Sequence, residues 1–292
     1  MNLSLLPIYG ATFLSRRLLD AARSLENTAQ RIENIRSLTK GQRDVLARNI
    51  VFADRHKGQT AFVIVNGPSL ATQDLSRITD HLSFVVSGFW KHELVKTWQP
   101  TYYSLLDANF FTDTQATKDF YAQLNQRIHS STFFIPLYRG FDFIRAHNLL
   151  PFDRTFYIAA IGTSVPSNDL TSIVQSFAGV SAFSLAQAVF MGCNPIYLLG
   201  FDHDYMVQRD VAQHFYTGGT IQGHHHNSIP LSERVPYDVE MRANLSLWNN
   251  YRTLAKIAEQ KGIKIFNATR GGYLDVFPRI DYESIDANVA KN

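Results

Sequence analysis

Ten residues, Ala61-Phe-Val-Ile-Val-Asn-Gly-Pro-Ser-Leu70, constrain the fold of this chain more than any others. Phe62 to Val65 are apolar and mostly β-branched, the composition of a strand covered on both faces. The run stops at Asn66-Gly67-Pro68-Ser69, where Gly67 permits a turn or a close approach, Pro68 fixes φ and Ser69 can cap or bind. Open parallel sheets place nucleotides at such strand ends. Backbone amides exposed there hold phosphate oxygens without any basic side chain. A tight strand-to-helix connection with no ligand explains the same residues equally well. The turn matches neither GxGxxG nor a GxxxxGK phosphate loop, because no Lys follows the glycine.

The rest of the chain repeats the theme. Strands are expected at Phe62–Val65, Leu82–Ser87, Tyr102–Leu106, Thr132–Ile135, Phe156–Ala159, Pro195–Leu199 and Lys264–Phe266, with a long helix from Val239 to Gln260 ended by Lys261-Gly262. Alternation of strands and helices predicts an α/β fold with a doubly wound, mostly parallel, Rossmann-like sheet and helices on both faces. Residues 12–56 read as helical and are expected to form an N-terminal appendage over 1–58, leaving 59–292 as the catalytic domain. Within it the polar, His- and Gly-rich stretch at about 203–237 is expected to be a lid or binding loop.

Composition narrows the class. The chain has 292 residues, enough for a large core, and 45% hydrophobic content marks a globular protein. Its single cysteine, Cys193, excludes an internal disulfide, argues against a cysteine-based zinc site and points to a reducing, cytoplasmic compartment. Met1 to Leu14 lack the basic start of a secretory leader, and no apolar run is long enough to span a bilayer. Residues 1–58 hold ten Lys and Arg against five Asp and Glu, a net of +5, which leaves −2 for residues 59–292 out of the chain's +3. The basic charge belongs to the appendage, so no nucleic-acid partner is expected. The appendage is expected to contact a membrane surface, the body or a second subunit.

Several polar residues end apolar strands and so share one rim: Ser87, Asp107 with nearby Asn109, and Asp202 after Gly200. Helix capping explains one or two of them, less readily all. The segment Gly200-Phe-Asp-His-Asp-Tyr205, then Gln213-His-Phe-Tyr216 and His224-His-His-Asn227, is the most titratable part of the chain. Its histidines suit general-base work near neutral pH, and its tyrosines can donate to a leaving phosphate. Consecutive histidines rarely converge on one ion, so no metal site is expected from His224 to His226. A helix from Gly179 to Gly192 has a small-residue start at Val180-Ser181, whose free amides would face the rim; close packing on the sheet explains that start as well.

Asn66-Gly-Pro-Ser-Leu70, the Gly179-to-Gly192 helix and Asn194-Pro-Ile-Tyr-Leu-Leu-Gly-Phe-Asp202 with its trailing Tyr and His-Phe-Tyr together resemble one superfamily. It contains bacterial CMP-sialic acid sialyltransferases of the lipooligosaccharide type and the 6-hydroxymethylpterin diphosphokinase-like (DUF115) proteins. The resemblance covers roughly residues 58 to 275. It implies a nucleotide-sugar donor and a surface-glycan acceptor as substrates, with no separate cofactor. It implies that Asn66, Gly67, Pro68 and Ser69 approach the nucleotide, that positions near Ser87 and Asp107 to Asn109 help hold it, and that Val180-Ser181 contact the sugar. Tyr205 and Tyr216 would steady the departing phosphate, and a base would come from His214, His224, His225 or His226. A pterin pyrophosphokinase using Mg²⁺-ATP through Asp107, Asp202 and Asp204 is the alternative enzyme. A non-catalytic scaffold subunit is the third expectation.

Overall fold

The computed structural model describes residues 36–161, 167–207, 214–216 and 236–285, with positions 17, 18, 21, 22, 25, 26, 29, 32 and 33 before them. Eight strands form one sheet: β1 Ala61–Ile64, β2 Leu82–Val86, β3 Tyr102–Ser104, β4 Thr132–Pro136, β5 Thr155–Ala160, β6 Ile173–Val174, β7 Ile196–Leu199 and β8 Ile265–Asn267. Their order across the sheet is β6-β5-β4-β3-β2-β1-β7-β8, and every pairing is parallel. From β1 the chain winds outward to β6, then returns to place β7 on the other side of β1. The reversal of strand order therefore falls between β1 and β7, the position at which open sheets open a crevice.

The expected strands are all present within a residue or two of their predicted ends. Two-residue β6 was not expected, because Ile173-Val174 is too short to carry any periodicity. The first two crossovers also differ from the expectation of helices. They are 3₁₀ segments, Pro68–Thr72 and Leu75–Ile78, then Phe89–Lys91 and Glu93–Lys96. Pro68 and the capping side chains of Asp74 and His92 start a new turn every few residues, which leaves no run in which an α-helix can propagate.

Strand side chains alternate between two cores. Phe62 and Ile64 of β1 join one, together with residues of α1 Lys40–Ala47, α2 Gln115–Arg127 and α3 Leu137–Ala146. Ala61, Val63 and Val65 join the other, under α4 Val180–Phe190 and α5 Tyr237–Gln260. The sheet thus has helices on both faces, as its apolar strands require. Every residue of α4 from Ser181 to Phe190 is buried, because α4 lies between the sheet and α5.

Residues 38–58, expected with the appendage, are packed into this body. Leu38, Val45 and Leu46 are buried in the first core. Phe52 lies edge-on to Tyr102, Phe134 and Phe156, with ring centroids 4.6–6.0 Å away. The amides of Asp54, His56 and Gly58 donate to the carbonyls of Phe190, Met191 and Gly192. Buried Asn49 donates from Nδ2 to the carbonyls of Tyr157 and Leu170, both at 2.7 Å. Among the described residues no helix is long and apolar enough to cross a membrane.

Asn49 joins the segment before β1 to the far side of the sheet. Asn49→Ala strands two buried carbonyls, and a loss of about 3 kcal/mol in urea unfolding free energy is expected. Asn49→Asp, which cannot donate, should lose at least as much. A loss under about 0.5 kcal/mol would show that these bonds do not hold the segment.

Candidate active site at the switch point

The ends of β1 and β7 are tied together by one carboxylate. Asp202 accepts from the Ser69 amide at 3.0 Å and the Ser69 hydroxyl at 2.8 Å. The ladder continues beneath it, with the Val65 amide donating to Leu199 at 2.9 Å and the Gly67 amide to Gly200 at 3.0 Å. Gly67 must lack a side chain, since a Cβ there would lie 1.8 Å from Asp202 Oδ2. Gly200 turns the chain at φ +73°, a left-handed value that suits glycine. Burial raises the Asp202 pKa, while the two bonds from Ser69 act in the opposite direction. Ser69, expected at the nucleotide, spends both its donors on Asp202. Asp202 itself therefore builds the turn.

Above this clamp lies a cavity of about 450 Å³, bordered by the ends of β1, β2 and β7 and the start of α4. That is within the range of about 300–1,000 Å³ typical of ligand sites. Asn66, Gly67 and Pro68 line it from β1, and Ser87 from β2. Asn66 Nδ2 donates to the Val86 carbonyl at 3.1 Å, which leaves Oδ1 buried without a partner among the described residues. Ser87 Oγ is likewise buried and unpartnered, on a residue held at φ +47°. Its backbone is fixed at both ends: its amide donates to Ser104 at 3.0 Å, and its carbonyl accepts from the Tyr103 hydroxyl at 2.6 Å. A left-handed backbone and an unmet hydroxyl both cost energy, and a ligand atom in the cavity would satisfy the hydroxyl.

Val180 and Ser181 line the opposite wall. Gly179 caps α4 without a side-chain bond, so first-turn amides of α4 are left without helical partners beside the cavity. Ser181 Oγ is not among the unmet groups, because it bonds Tyr251 at 2.6 Å. Tyr251 also meets His203 Nε2 at 3.0 Å, and His203 Nδ1 lies 3.3 Å from the Tyr205 hydroxyl, which donates to Asn244 at 3.4 Å. This chain joins α4, α5 and the turn after β7. Burial lowers the His203 pKa to about 4, so its ring is neutral at pH 7. Burial raises Tyr205 to about 12, so it stays a protonated donor.

His214 also lines the cavity and stacks on Tyr216 at 5.0 Å. Between them Phe215 donates its amide to the Asn66 carbonyl at 2.9 Å, with its ring 5.3 Å from His92 and 6.2 Å from Phe89. Tyr216 packs against Gly88, where a Cβ would fall 2.2 Å from its hydroxyl, and Lys91 Nζ sits 4.6 Å over its ring. Tyr216 is thus under His214, outside the cavity lining. Asp107 reaches the cavity, whereas Asn109 lies exposed one turn beyond it, its carbonyl accepting from Thr112 and Thr117. His225, with the remainder of the expected lid, lies outside the described residues. Sequence reading did not single out His203, Asn244 or Tyr251. His203 was legible as part of a titratable segment; Asn244 and Tyr251 sit inside an ordinary amphipathic helix that carries no motif.

The fold and site together define a Rossmann-like α/β protein with a polar cavity at its switch point. No protein-family model matches the sequence, and comparison with curated protein sequences gives no match. Among solved structures, the chain is similar to the Maf glycosyltransferase from Magnetospirillum magneticum, with TM-score 0.50 and 13% identity over 84% of this chain and 39% of that one. It thus spans about two fifths of that protein's length. It is also similar to the sialyltransferase CstII from Campylobacter jejuni, with TM-score 0.44 and 13% identity over 76% of this chain and 86% of that one. At these identities the likeness speaks for the fold alone.

A buried His that stays neutral makes stability depend on pH. The unfolded His titrates near 6.5 and the folded one near 4, so its stability is full above pH 6.5 and is lost as pH falls towards 4. About 3 kcal/mol should disappear over that window. His203→Asn, which tolerates the left-handed backbone seen at φ +57°, should flatten this part of the curve in urea titrations at pH 7, 5 and 4. An unchanged slope in the variant would assign the acid loss to other groups.

Proposed function

We propose that this chain is a glycosyltransferase that takes a sugar from a CMP-linked donor, of the acidic type such as a sialic acid or Kdo, and passes it to a surface-glycan hydroxyl. The observation that carries the reading is the pair of unmet buried groups, Asn66 Oδ1 and Ser87 Oγ, on residues that line a cavity opposite the uncapped start of α4. They supply an acceptor and a hydroxyl for a nucleoside, with amides for a phosphate. Among the described lining residues there is no Lys or Arg, while Asp107, Asp202 and Asp204 are present. Helix amides carry only about half a positive charge. Without a metal ion, that balance suits a donor with a single phosphate better than a triphosphate. The fold shared with the Maf glycosyltransferase is in keeping with the class.

In this reading His214 accepts the proton of the acceptor hydroxyl as its oxygen attacks the anomeric carbon. The bond from that carbon to the phosphate oxygen breaks, and CMP departs with the electron pair. Tyr205 turns its hydroxyl proton from Asn244 to a phosphate oxygen as charge builds there, and neutral His203 holds the phenol oxygen in place. Tyr216 positions His214 by stacking beneath its ring. Asp202 keeps the Asn66-Gly67 backbone in register.

CMP at about 100 times its dissociation constant should raise stability by roughly 2.7 kcal/mol, moving Tm by about 4–5 °C, and the shift should survive EDTA. A shift confined to Mg²⁺-ATP would instead establish the pyrophosphokinase alternative. Tyr205→Phe should lose about 100-fold in turnover with donor affinity little changed, since its bond strengthens in the transition state. Gly88 has φ −86°, so Gly88→Ala strains no backbone but displaces the Tyr216 phenol. Transfer should fall at least about tenfold while CMP still binds. Full turnover in Gly88→Ala would remove Tyr216 from the scheme.

A further inference from the structure

A second cavity, of about 330 Å³, opens along the same rim at the ends of β3, β4 and β5. Asp107 and Ala178 line both cavities, so the two are neighbours across a single wall. Their linings differ in charge. The first holds carboxylates and no cation among its described residues, whereas the second carries Arg139, exposed and with no carboxylate paired to it among the described residues. Beside Arg139 stands Tyr138, 41% exposed and anchored by a hydrogen bond to Ser37. Leu106, Ile161 and Phe177 supply apolar walls. A polar-edged, partly aromatic cleft lined by one cation and one carboxylate is a site for a sugar ring bearing an acid group.

We propose that this second cavity is the acceptor subsite and that it selects a sugar carrying a carboxylate or phosphate, held by Arg139. The proposal rests on the glycosyltransferase reading for the word acceptor; the anionic-sugar site itself stands on the cavity. The charges fix the direction of binding. The acid group lies at Arg139, away from Asp107, while a hydroxyl at the other end of the ring donates to Asp107 and crosses the shared wall towards the first cavity. A neighbouring hydroxyl of the same ring, not the one bonded to Asp107, is the one from which His214 would take the proton. Sugars with no acid group would make the apolar contacts but lose the contact with Arg139.

Three methyl glucosides that differ only at carbon 6 test this: the neutral glucoside, the glucuronide and the 6-phosphate. Their dissociation constants are measured by ligand-observed NMR on the full chain, with and without CMP. At least one acidic sugar should bind about tenfold tighter than the neutral one, the gain of a charge-assisted contact. Which of the two does so identifies carboxylate or phosphate as the group recognised. Arg139→Gln should abolish the preference, and Arg145→Gln, which removes the same charge from the other end of α3, should keep it. Equal binding of all three sugars, or a preference that survives Arg139→Gln, would overturn the proposal. Arg139-dependent binding of an acidic sugar without any binding of CMP would uphold the anionic site and overturn the donor reading. CMP binding without Arg139-dependent sugar binding would do the reverse.

Discussion

The contact between Asp202 and Ser69 is the constraint on which the site depends. Parallel strands β1 and β7 run side by side, and their backbone bonds continue as far as Gly67 and Gly200. Beyond that last bond Asp202 gives both oxygens to Ser69. Bonds to a carboxylate are about twice as strong as neutral ones, and these are half-shielded from water. They also demand a close approach that only glycine at 67 allows. Gly67, Ser69 and Asp202 therefore form one device, and their value to a ligand is indirect. They hold Asn66 and the backbone after it where the crevice opens.

A second device sits on the opposite wall and works by neutrality. Ser181, Tyr251, His203, Tyr205 and Asn244 are linked in series through hydroxyls and one imidazole. A charged histidine would be costly in such a buried place, and burial keeps it neutral. A neutral ring offers one donor and one acceptor, which lets it bond a phenol on each side. The position of Tyr205 is thereby linked to α4 and α5 together. A substituent on any of the three elements would be felt at the phenol.

The sheet was legible because its strands are short, apolar and ended by turn residues, and because β1 and β7 carry the same apolar-then-glycine form. The cavity was legible in outline for the same reason: polar residues that end adjacent parallel strands must share a rim, which placed Asn66, Ser87, Asp107 and Asp202 near one another. What escaped was anything set by partners distant in sequence. Ser69 reads as a ligand contact until Asp202, 133 residues later, is seen to occupy it. Left-handed backbone at Ser87 and His203 has no local signature, since neither is Gly or Asn. Asn49 lies in a basic, helical-looking stretch, yet its amide is buried against carbonyls of Tyr157 and Leu170. Charge composition marked residues 1–58 as different from the rest; burial places Leu38, Val45, Leu46, Asn49 and Phe52 among them in the core.

The three residues 214–216 show how a site histidine can be fixed without a regular element beneath it. Phe215 is held at two points, its amide on the Asn66 carbonyl and its ring beside Phe89 and His92. Tyr216 is held against Gly88, with the Lys91 ammonium over its face. Both anchors belong to the segments directly after β1 and β2, the same segments that present Asn66 and Ser87 to the cavity. His214, stacked on Tyr216, is therefore referenced to the groups that would hold a nucleotide. Any motion that displaced Asn66 would carry Phe215 with it, and with Phe215 the imidazole. The cavity-lining groups after β1 and β2 and His214 are in this sense parts of one rim, and the orientation of His214 depends on β1 and β2 remaining in register.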